Sequence, residues 1–335
     1  MYNAQVVEQA INDIQKAISS TDVSGLLLVR EDLQAEMAIM APTDTPLRNR
    51  LNRIPGNGKA HAWYQLTPVS STGALSSGHL FLGGTSPDQG FFPKGGLPDA
   101  VQPTYKFKSA PYTSLGDVVT VSFFEQMAGG TYTDIKKHQI KVKMLNVALM
   151  EEWAIINGDS AVNPLMFDGL NAQVTSNVKD NAGAALALSD ITTTEREIVA
   201  KGGKPQLVVM SYRDLQKFNE LIFTSFYRLF QAGAGTLADI PSGISVTRWV
   251  SPYGIVDVVG SRYIVPDGSS EDFVLVLDDK TVLEDGNAIQ MVDLMPLSSI
   301  DLALLQTAYR TIVLEFSVLQ LTSEAFQGKI KKVGP

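Results

Sequence analysis

The chain has 335 residues, which exceeds the ~250 to 300 at which a single hydrophobic core stops growing, so we expect at least two lobes. Hydrophobic residues make up 44% and charged residues 19%, as in an ordinary globular protein, and the absence of cysteine excludes disulfides, thiolate zinc sites and cysteine nucleophiles. The net charge of −8 argues against a protein that binds nucleic acid tightly, because phosphate binding needs clustered lysine and arginine.

No membrane partner is expected, because no segment approaches the roughly 18 uncharged apolar residues that a membrane span needs. The opening MYNAQVVEQAINDIQK also lacks the basic and then apolar plan of a signal peptide. We therefore expect the protein to mature in the cytoplasm.

The chain opens with an amphipathic helix and an extended arm. Four apolar residues near the start are three or four residues apart, which predicts an amphipathic helix; they are Val7, Ile11, Ile14 and Ile18. Residues 25–53 offer short apolar pieces between turns and prolines, with one short helix near REDLQAEM. This arm ends in the densest arginine group, TPLRNRLNRIPG, for which solvated faces or subunit contacts are the simplest interpretation.

Residues 55–112 are rich in Gly, Pro, Ser and Thr but carry several aromatic residues. KAHAWYQL and TYKFK alternate in the manner of strands, which predicts a long β-hairpin. With so few aliphatic residues the segment cannot form a core alone, and loops of this length are either functional or disordered. We expect its aromatic residues to contact a partner.

The longest predicted helix spans residues 134–157. Its apolar residues step by three and four, and its stripe consists of Ile135, Val142, Leu145, Leu149, Trp153 and Ile156. Thr133 or Asp134 can cap the start, and Gly158 suits a left-handed residue after the end. In the following loop, we expect Asp159, Asn163 and Asp168 to bond to their own turns instead of to a metal.

After residue 186 the pattern becomes α/β. SDITTTEREIVAKGG and YRDLQKFNELIFTSFYRLF predict helices on either side of a buried strand, KPQLVVMS. Ser211 and Asp214 resemble a capping box at the second of these helices. Four short strands follow, in GISVTRWV, IVDVVGSRYIV, DFVLVLD and NAIQMVDLM, and YRTIVLEFSVLQLTSEAFQGKIKKV predicts a last strand long enough to cross between lobes.

The sequence contains no recognisable catalytic or cofactor motif. GNGKA lacks the first glycine and the Ser or Thr of a phosphate loop, and neither G-x-G-x-x-G after a strand nor G-x-S-x-G occurs. The adjacent acids Glu151 and Glu152, like Asp278 and Asp279, point in different directions and do not form an acid/base dyad by themselves. We therefore expect no catalytic, cofactor or metal site, and no enzyme.

The order of the segments resembles the tailed-phage major capsid protein of the Hong Kong 97 type. The matching stretches are TPLRNRLNRIPGNGKAHAW, VTVSFFEQMAGG, NVALMEEWAIINGDSAVNPLMFDGL, KPQLVVMSYRDLQKF and RTIVLEFSVLQLTSEAF. Each stretch alone is unspecific, but together they extend the resemblance over essentially the whole chain.

The resemblance implies an α+β fold of four parts. These are an N-terminal arm (1–54), an extended β-hairpin loop (55–112), a peripheral domain with the spine helix (113–186 and 300–335) and an α/β axial domain (187–299). The loop after the spine helix is then a structural hinge.

The implied function is a major capsid protein whose copies form pentamers and hexamers of an icosahedral shell around the double-stranded DNA of a tailed bacteriophage. The DNA would be enclosed without sequence-specific binding, in a virion assembled in the bacterial cytoplasm. A separate scaffolding protein, a portal and possibly a decoration protein would be partners. An encapsulin compartment is the alternative of the same fold, and a cytoplasmic α/β enzyme that uses the lobe after residue 186 is the alternative of another class.

Local composition indicates which residues could contact neighbouring subunits. They are the basic and aromatic residues of the arm end and the loop, namely Arg48, Arg50, Arg53, Lys59, Trp63, Phe91, Phe92 and Lys94.

Deleting the loop tip from Ser71 to Asp88 should block stable shells and leave the fold intact, because this glycine-rich segment adds no core of its own. Electron microscopy and circular dichroism of the purified deletion variant test this. Intact particles from the variant would contradict it.

Overall fold

The computed structural model describes residues 44–67, 94–97, 104–129, 134–231, 247–264, 271–283, 286–303 and 307–334. The predicted N-terminal helices, the loop tip and the contact residues Phe91 and Phe92 lie outside these residues. Among the described residues, no helix combines the length and the apolar character needed to cross a membrane.

Six helices and fourteen strands are described. The helices are α1 (Pro46–Arg50), α2 (Phe123–Gly129), α3 (Ile135–Asn157), α4 (Leu170–Gln173), α5 (Leu188–Ala200) and α6 (Tyr212–Gln231). The strands are β1 (Asn52–Pro55), β2 (Ala60–Thr67), β3 (Thr104–Pro111), β4 (Thr113–Ser122), β5 (Val178–Asp180), β6 (Leu207–Ser211), β7 (Arg248–Ser251), β8 (Gly254–Ser261), β9 (Asp272–Leu277), β10 (Val282–Leu283), β11 (Gly286–Asn287), β12 (Ile289–Asp301), β13 (Ala308–Leu321) and β14 (Gly328–Val333).

A four-stranded sheet in the order β1-β12-β13-β4 carries the long helix α3. Its strands pair antiparallel, except that β1 runs parallel to β12. Residues of one face, such as Val119, Val121 and Val313, are buried, while Val118 and Ile300 on the other face are 47% and 44% exposed. This alternation follows from the two-residue period of a strand, which places one face against the helix.

A six-stranded sheet in the order β5-β14-β9-β6-β8-β7 forms the other lobe. Its central strand β6 is buried over its whole length, as the run LVVMS predicts. Val208 and Met210 face a core shared with α5 and α6, and Leu207 and Val209 face the opposite side. On that opposite side, one core joins both sheets to the end of α3 and to Leu47 of α1. The lobes therefore share a core.

The long helix begins and ends where the sequence predicts, but it turns a different face to the core. Asp134 caps its start by accepting a hydrogen bond from the backbone N–H of Lys137. The predicted stripe is wrong at Trp153, which remains 39% exposed. The buried residues instead include two acids, and they are Val147, Ala148, Glu151, Glu152, Ala154, Ile155 and Ile156. Apolar spacing alone could not reveal that face because acids belong to it.

Gly158 ends the helix for a different reason from the one predicted. Its φ of −54° is not left-handed. A side chain here would lie within 2.6 Å of the Ala154 carbonyl oxygen and would also collide with the Phe167 carbonyl oxygen. The Gly158 carbonyl accepts a hydrogen bond from Gly169 across this narrow gap at 2.8 Å. Close approach of two backbone segments thus requires glycine.

The strands are divided between the two sheets differently from the domain boundaries expected from the sequence. The expected boundary between residues 299 and 300 falls inside β12, which belongs to the four-stranded sheet. The final segment, expected in the peripheral part, breaks at a 3-10 turn (Glu324–Phe326), and β14 beyond it lies in the six-stranded sheet. Long-range strand pairing sets these boundaries, and local composition does not record that pairing.

Glu195 of α5 makes stability depend on pH. Its side chain is buried against the sheet, and burial raises the pKa of its carboxyl to about 7, which the nearby Ser251 hydroxyl offsets only partly. The folded pKa lies above the ordinary value, so the folded chain binds the proton more tightly. Stability from this group is therefore complete below the unfolded pKa and is lost as pH rises through about 7.

Glu195→Gln should thus raise the free energy of unfolding at about pH 8 by about 1 to 3 kcal/mol relative to the native chain, with little gain at about pH 4. Urea unfolding at both pH values measures this. Equal effects at the two pH values would show that folding does not raise the pKa of Glu195.

Candidate subunit interface

The hairpin formed by β2 and β3 confirms the strands predicted in this segment. The strands pair antiparallel in a continuous register from Ala60 opposite Pro111 to Thr67 opposite Thr104. Successive side chains alternate between two faces. The hairpin therefore has one face that can rest on its own chain and one that can meet another molecule.

The inner face holds the base of the hairpin against β13 and the segment that follows it. His61 Nε2 lies 2.9 Å from Gln320 Oε1, and the Gln65 side-chain amide donates to the Thr322 carbonyl. Trp63 is buried and stacks on His61 with ring centroids 5.7 Å apart. Trp63, a predicted subunit contact, thus points into its own chain.

The outer face presents three aromatic side chains to solvent. Tyr64 and Phe107 sit opposite each other on β2 and β3 with centroids 5.4 Å apart, and their exposed fractions are 62% and 61%. Tyr105 follows on β3 with 61% exposed. We call Tyr64, Tyr105 and Phe107 the aromatic face. Neighbouring exposed aromatic side chains are typical of surfaces that bind another protein.

The other predicted contact residues of this segment are differently placed. Lys59 precedes β2 and is exposed, and Lys94 is exposed in the described piece 94–97. Tyr64 and Phe107 were not selected from the sequence, although alternation with Lys106 and Lys108 was the signal that could have identified the outer face.

The three predicted arginine contacts make ion pairs within the chain. Arg50 donates to Asp257 at 2.8 Å and to Asp279 at 2.5 Å, which joins α1 to the six-stranded sheet. Burial by itself would lower the pKa of the Arg50 guanidinium, but the two carboxylates raise it overall. The same hydrogen bond from Arg50 lowers the pKa of Asp257. Arg50 therefore fastens the arm end to its own chain.

Arg48 and Arg53 enter a buried charge cluster with acids from three other elements. Arg53 donates to Glu151 at 2.5 Å, to Glu315 at 2.7 Å and to Asp293 at 2.9 Å. Arg48 bonds to Glu151 and lies 3.6 Å from the second oxygen of Glu315. Burial opposes the charge of Arg53, but Glu151 and Asp293 raise the pKa of the guanidinium.

Glu152 completes the cluster by capping α1. Its two carboxylate oxygens accept the backbone N–H groups of Leu47 at 3.0 Å and Arg48 at 2.6 Å. Burial raises the pKa of Glu152, and these two hydrogen bonds act in the opposite direction. We call Arg48, Arg53, Glu151, Glu152, Asp293 and Glu315 the arm-spine cluster.

Oxygens of Glu151, Asp293 and Glu315 lie within 4.8 Å of one another, close enough to hold a metal ion. The Arg53 guanidinium bonds to all three and already provides the cation. In the loop after α3, by contrast, Asp159 and Asn163 accept backbone N–H groups of their own turns, as the sequence predicts, whereas Asp168 accepts the N–H of Ser160 across the loop. This loop is a hydrogen-bonded corner.

Glu151→Ala should destabilise the chain by about 3 to 5 kcal/mol, because two partly buried guanidinium groups lose a shared, fully buried partner. Lys137→Ala is the matched control, since that lysine is exposed and its pair with Asp134 should contribute below about 1 kcal/mol. Chemical unfolding measures both variants. A loss for Glu151→Ala as small as the control would refute a structural role for the cluster.

Comparison with known proteins places this architecture in a family. The family model described as SU10 major capsid protein matches residues 116–332, which include α3 and most strands of both sheets but not β1. No curated protein sequence matches the chain significantly.

Solved structures share the fold at low identity. The capsid of a native GTA particle superposes with a TM-score of 0.66 and 13% identity over 94% of this chain and 99% of that one. The holo-SrpI encapsulin of Synechococcus elongatus PCC 7942 superposes with a TM-score of 0.64 and 11% identity, over 94% of this chain and 96% of that one. The cyanophage A-1(L) capsid superposes with a TM-score of 0.62 and 11% identity, over 92% of this chain and 98% of that one. The Hong Kong 97-type fold expected from the sequence is confirmed. With the family model matching well over half of its residues, the chain belongs to the SU10 major capsid protein family.

Proposed function

We propose that copies of this chain assemble through pentamers and hexamers into the icosahedral head shell of a tailed bacteriophage, around double-stranded DNA. The observation that carries the proposal is the family match over residues 116–332. A shell that must contain both rings from one chain needs head-to-tail contacts between unlike surfaces. The hairpin supplies such a surface, because its base is fixed to its own chain while its outer side remains open.

The aromatic face is the surface that we propose to contact a neighbouring copy. Burying three aromatic side chains removes a large apolar area from water, and aromatic residues are enriched at protein interfaces. A preformed two-stranded hairpin also loses less conformational entropy on docking than a flexible loop does. Many such modest contacts add up across a shell through multivalency.

Contacts of Lys59 and Lys94 with neighbouring copies remain part of the proposal, because both side chains are exposed. Contacts through Arg48, Arg50 and Arg53 stay a prediction of lower priority, since ion pairs within the chain already engage their guanidinium groups. Val162 and Leu165, 82% and 81% exposed on the hydrogen-bonded corner, are further apolar candidates.

The net charge of −8 supports enclosure of DNA without tight binding, because a strongly basic lumen would hold the packed genome by its phosphates. We also propose a separate scaffolding protein, a portal and possibly a decoration protein as partners, and assembly in the bacterial cytoplasm. The chain would act structurally and not as an enzyme.

An encapsulin compartment is the second candidate, favoured by the structural match to the encapsulin of Synechococcus elongatus. Electron microscopy of native particles distinguishes the two candidates. Tailed or DNA-filled icosahedral shells would support the virion, and tailless shells filled with protein would support the encapsulin. Small oligomers under every assembly condition would contradict both.

The double substitution Tyr64→Ser and Phe107→Ser should leave the fold unchanged, because both rings are largely exposed, and should strongly reduce shell yield. Tyr253→Ser, at an exposed tyrosine between β7 and β8, is the control for loss of any surface aromatic residue. Sedimentation and electron microscopy give the yields. Normal yield from the double variant would exclude the aromatic face from the subunit contact.

A further inference from the structure

The charges of the arm-spine cluster do not balance. Four acids, Glu151 and Glu152 of α3, Asp293 of β12 and Glu315 of β13, meet two arginines, Arg48 of α1 and Arg53 of β1. Fully ionised, the cluster would carry four negative and two positive charges, a net of −2. All four acids lie in the interior or at its margin. An uncompensated charge is costly there, and protonation commonly relieves it.

In three of the acids both carboxylate oxygens accept hydrogen bonds. Glu151 bonds to both arginines. Both oxygens of Asp293 accept from Arg53, at 3.1 and 2.9 Å. Glu152 accepts two backbone N–H groups, and beyond it lies Tyr263, close enough to interact electrostatically with its charge.

Glu315 is the exception. Its Oε1 accepts from Arg53 at 2.7 Å, whereas its buried Oε2 has no hydrogen bond and lies 3.6 Å from the nearest Arg48 nitrogen. A proton on Oε2 would remove one negative charge without displacing any existing hydrogen bond. Carboxylate oxygens of Glu151 and Asp293 lie near enough for a small rotation to provide an acceptor.

We propose that the arm-spine cluster is a proton-binding site centred on Oε2 of Glu315, and that a proton bound there relieves the excess negative charge of the cluster. The proposal does not depend on the proposed shell. Burial raises the pKa of the Glu315 carboxyl, and the charge of Glu151 raises it further. The contribution of this group to stability is therefore complete below the unfolded pKa and is lost as pH rises through the folded pKa, when the excess negative charge appears.

The test compares Glu315→Gln with the native chain in urea unfolding from about pH 3 to about pH 9. The amide keeps an acceptor for Arg53 but cannot ionise. The unfolding equilibrium constant of the native chain should rise by up to tenfold per pH unit from this group, and the variant should lack that contribution. An unchanged pH dependence in Glu315→Gln would overturn the proposal.

Glu324→Gln is the matched control at a glutamate whose environment is opposite. Glu324 accepts hydrogen bonds from Thr175 and Ser176, which together lower its pKa although burial opposes them. Its contribution is present above the unfolded pKa and is lost as pH falls, so this variant should lower stability by a constant amount above about pH 5 and change the pH dependence only on the acidic side.

Asp293→Asn provides a second test should Glu315→Gln fail to fold. Removing one neighbouring charge while keeping an acceptor for Arg53 should make Glu315 easier to ionise and move its transition to lower pH. Infrared spectra of the native chain should also show a protonated carboxylic acid that titrates at this transition and moves with it in Asp293→Asn, whereas the acid of Glu195 should not move. An unmoved transition in Asp293→Asn, or the absence of such an acid from the spectra, would contradict a proton on Glu315.

Discussion

The structure depends on ion pairs that join the arm end, α1 and β1, to the buried Glu151 of α3. Arg53 bonds to acids on α3, β12 and β13, and so connects one short edge strand to three separate elements. Because a buried ion pair compensates desolvation only when its partners are in place, the cluster favours one arrangement of these elements over others. Glu152 adds to this selection by capping α1 from the same turn of the helix. The arm end thus completes the four-stranded sheet, in which β1 pairs with β12.

That anchoring gives the hairpin a fixed starting point. β1 ends at Pro55 and the hairpin begins at Ala60, so only a few residues separate the charge cluster from the aromatic face. At its inner side the hairpin bonds to Gln320 and Thr322, close to the place where β13 leaves the four-stranded sheet. Contacts within the chain therefore hold one side of the hairpin, and the exposed rings on the other side are accessible to a neighbouring copy. A protein that must build a lattice needs both properties in the same element.

The shared core explains how the two lobes support each other. Leu207 and Val209 from the six-stranded sheet lie in the same core as Ile155 of α3 and Met291 of β12. The glycines at the end of α3 let the chain turn tightly beside this core. Movement between the lobes would have to disturb apolar packing and the Arg50 ion pairs together, so we expect them to behave as one body during folding.

Much of the fold follows from local pattern. The span of α3, the buried strand β6, the helices on either side of it and the pairing of KAHAWYQL with TYKFK were all predictable from the period of apolar residues and from turn residues. The acids and arginines were visible too, but not their meeting, because residues 53, 151, 293 and 315 are far apart in sequence and only the folded chain joins them. Tertiary structure likewise decided which face of α3 is buried and where the lobes divide. The sequence by itself determined the elements, since local backbone preference and apolar spacing act over a few residues. Only the tertiary structure decided the partners of each charge and each strand edge, because those choices depend on burial and long-range pairing.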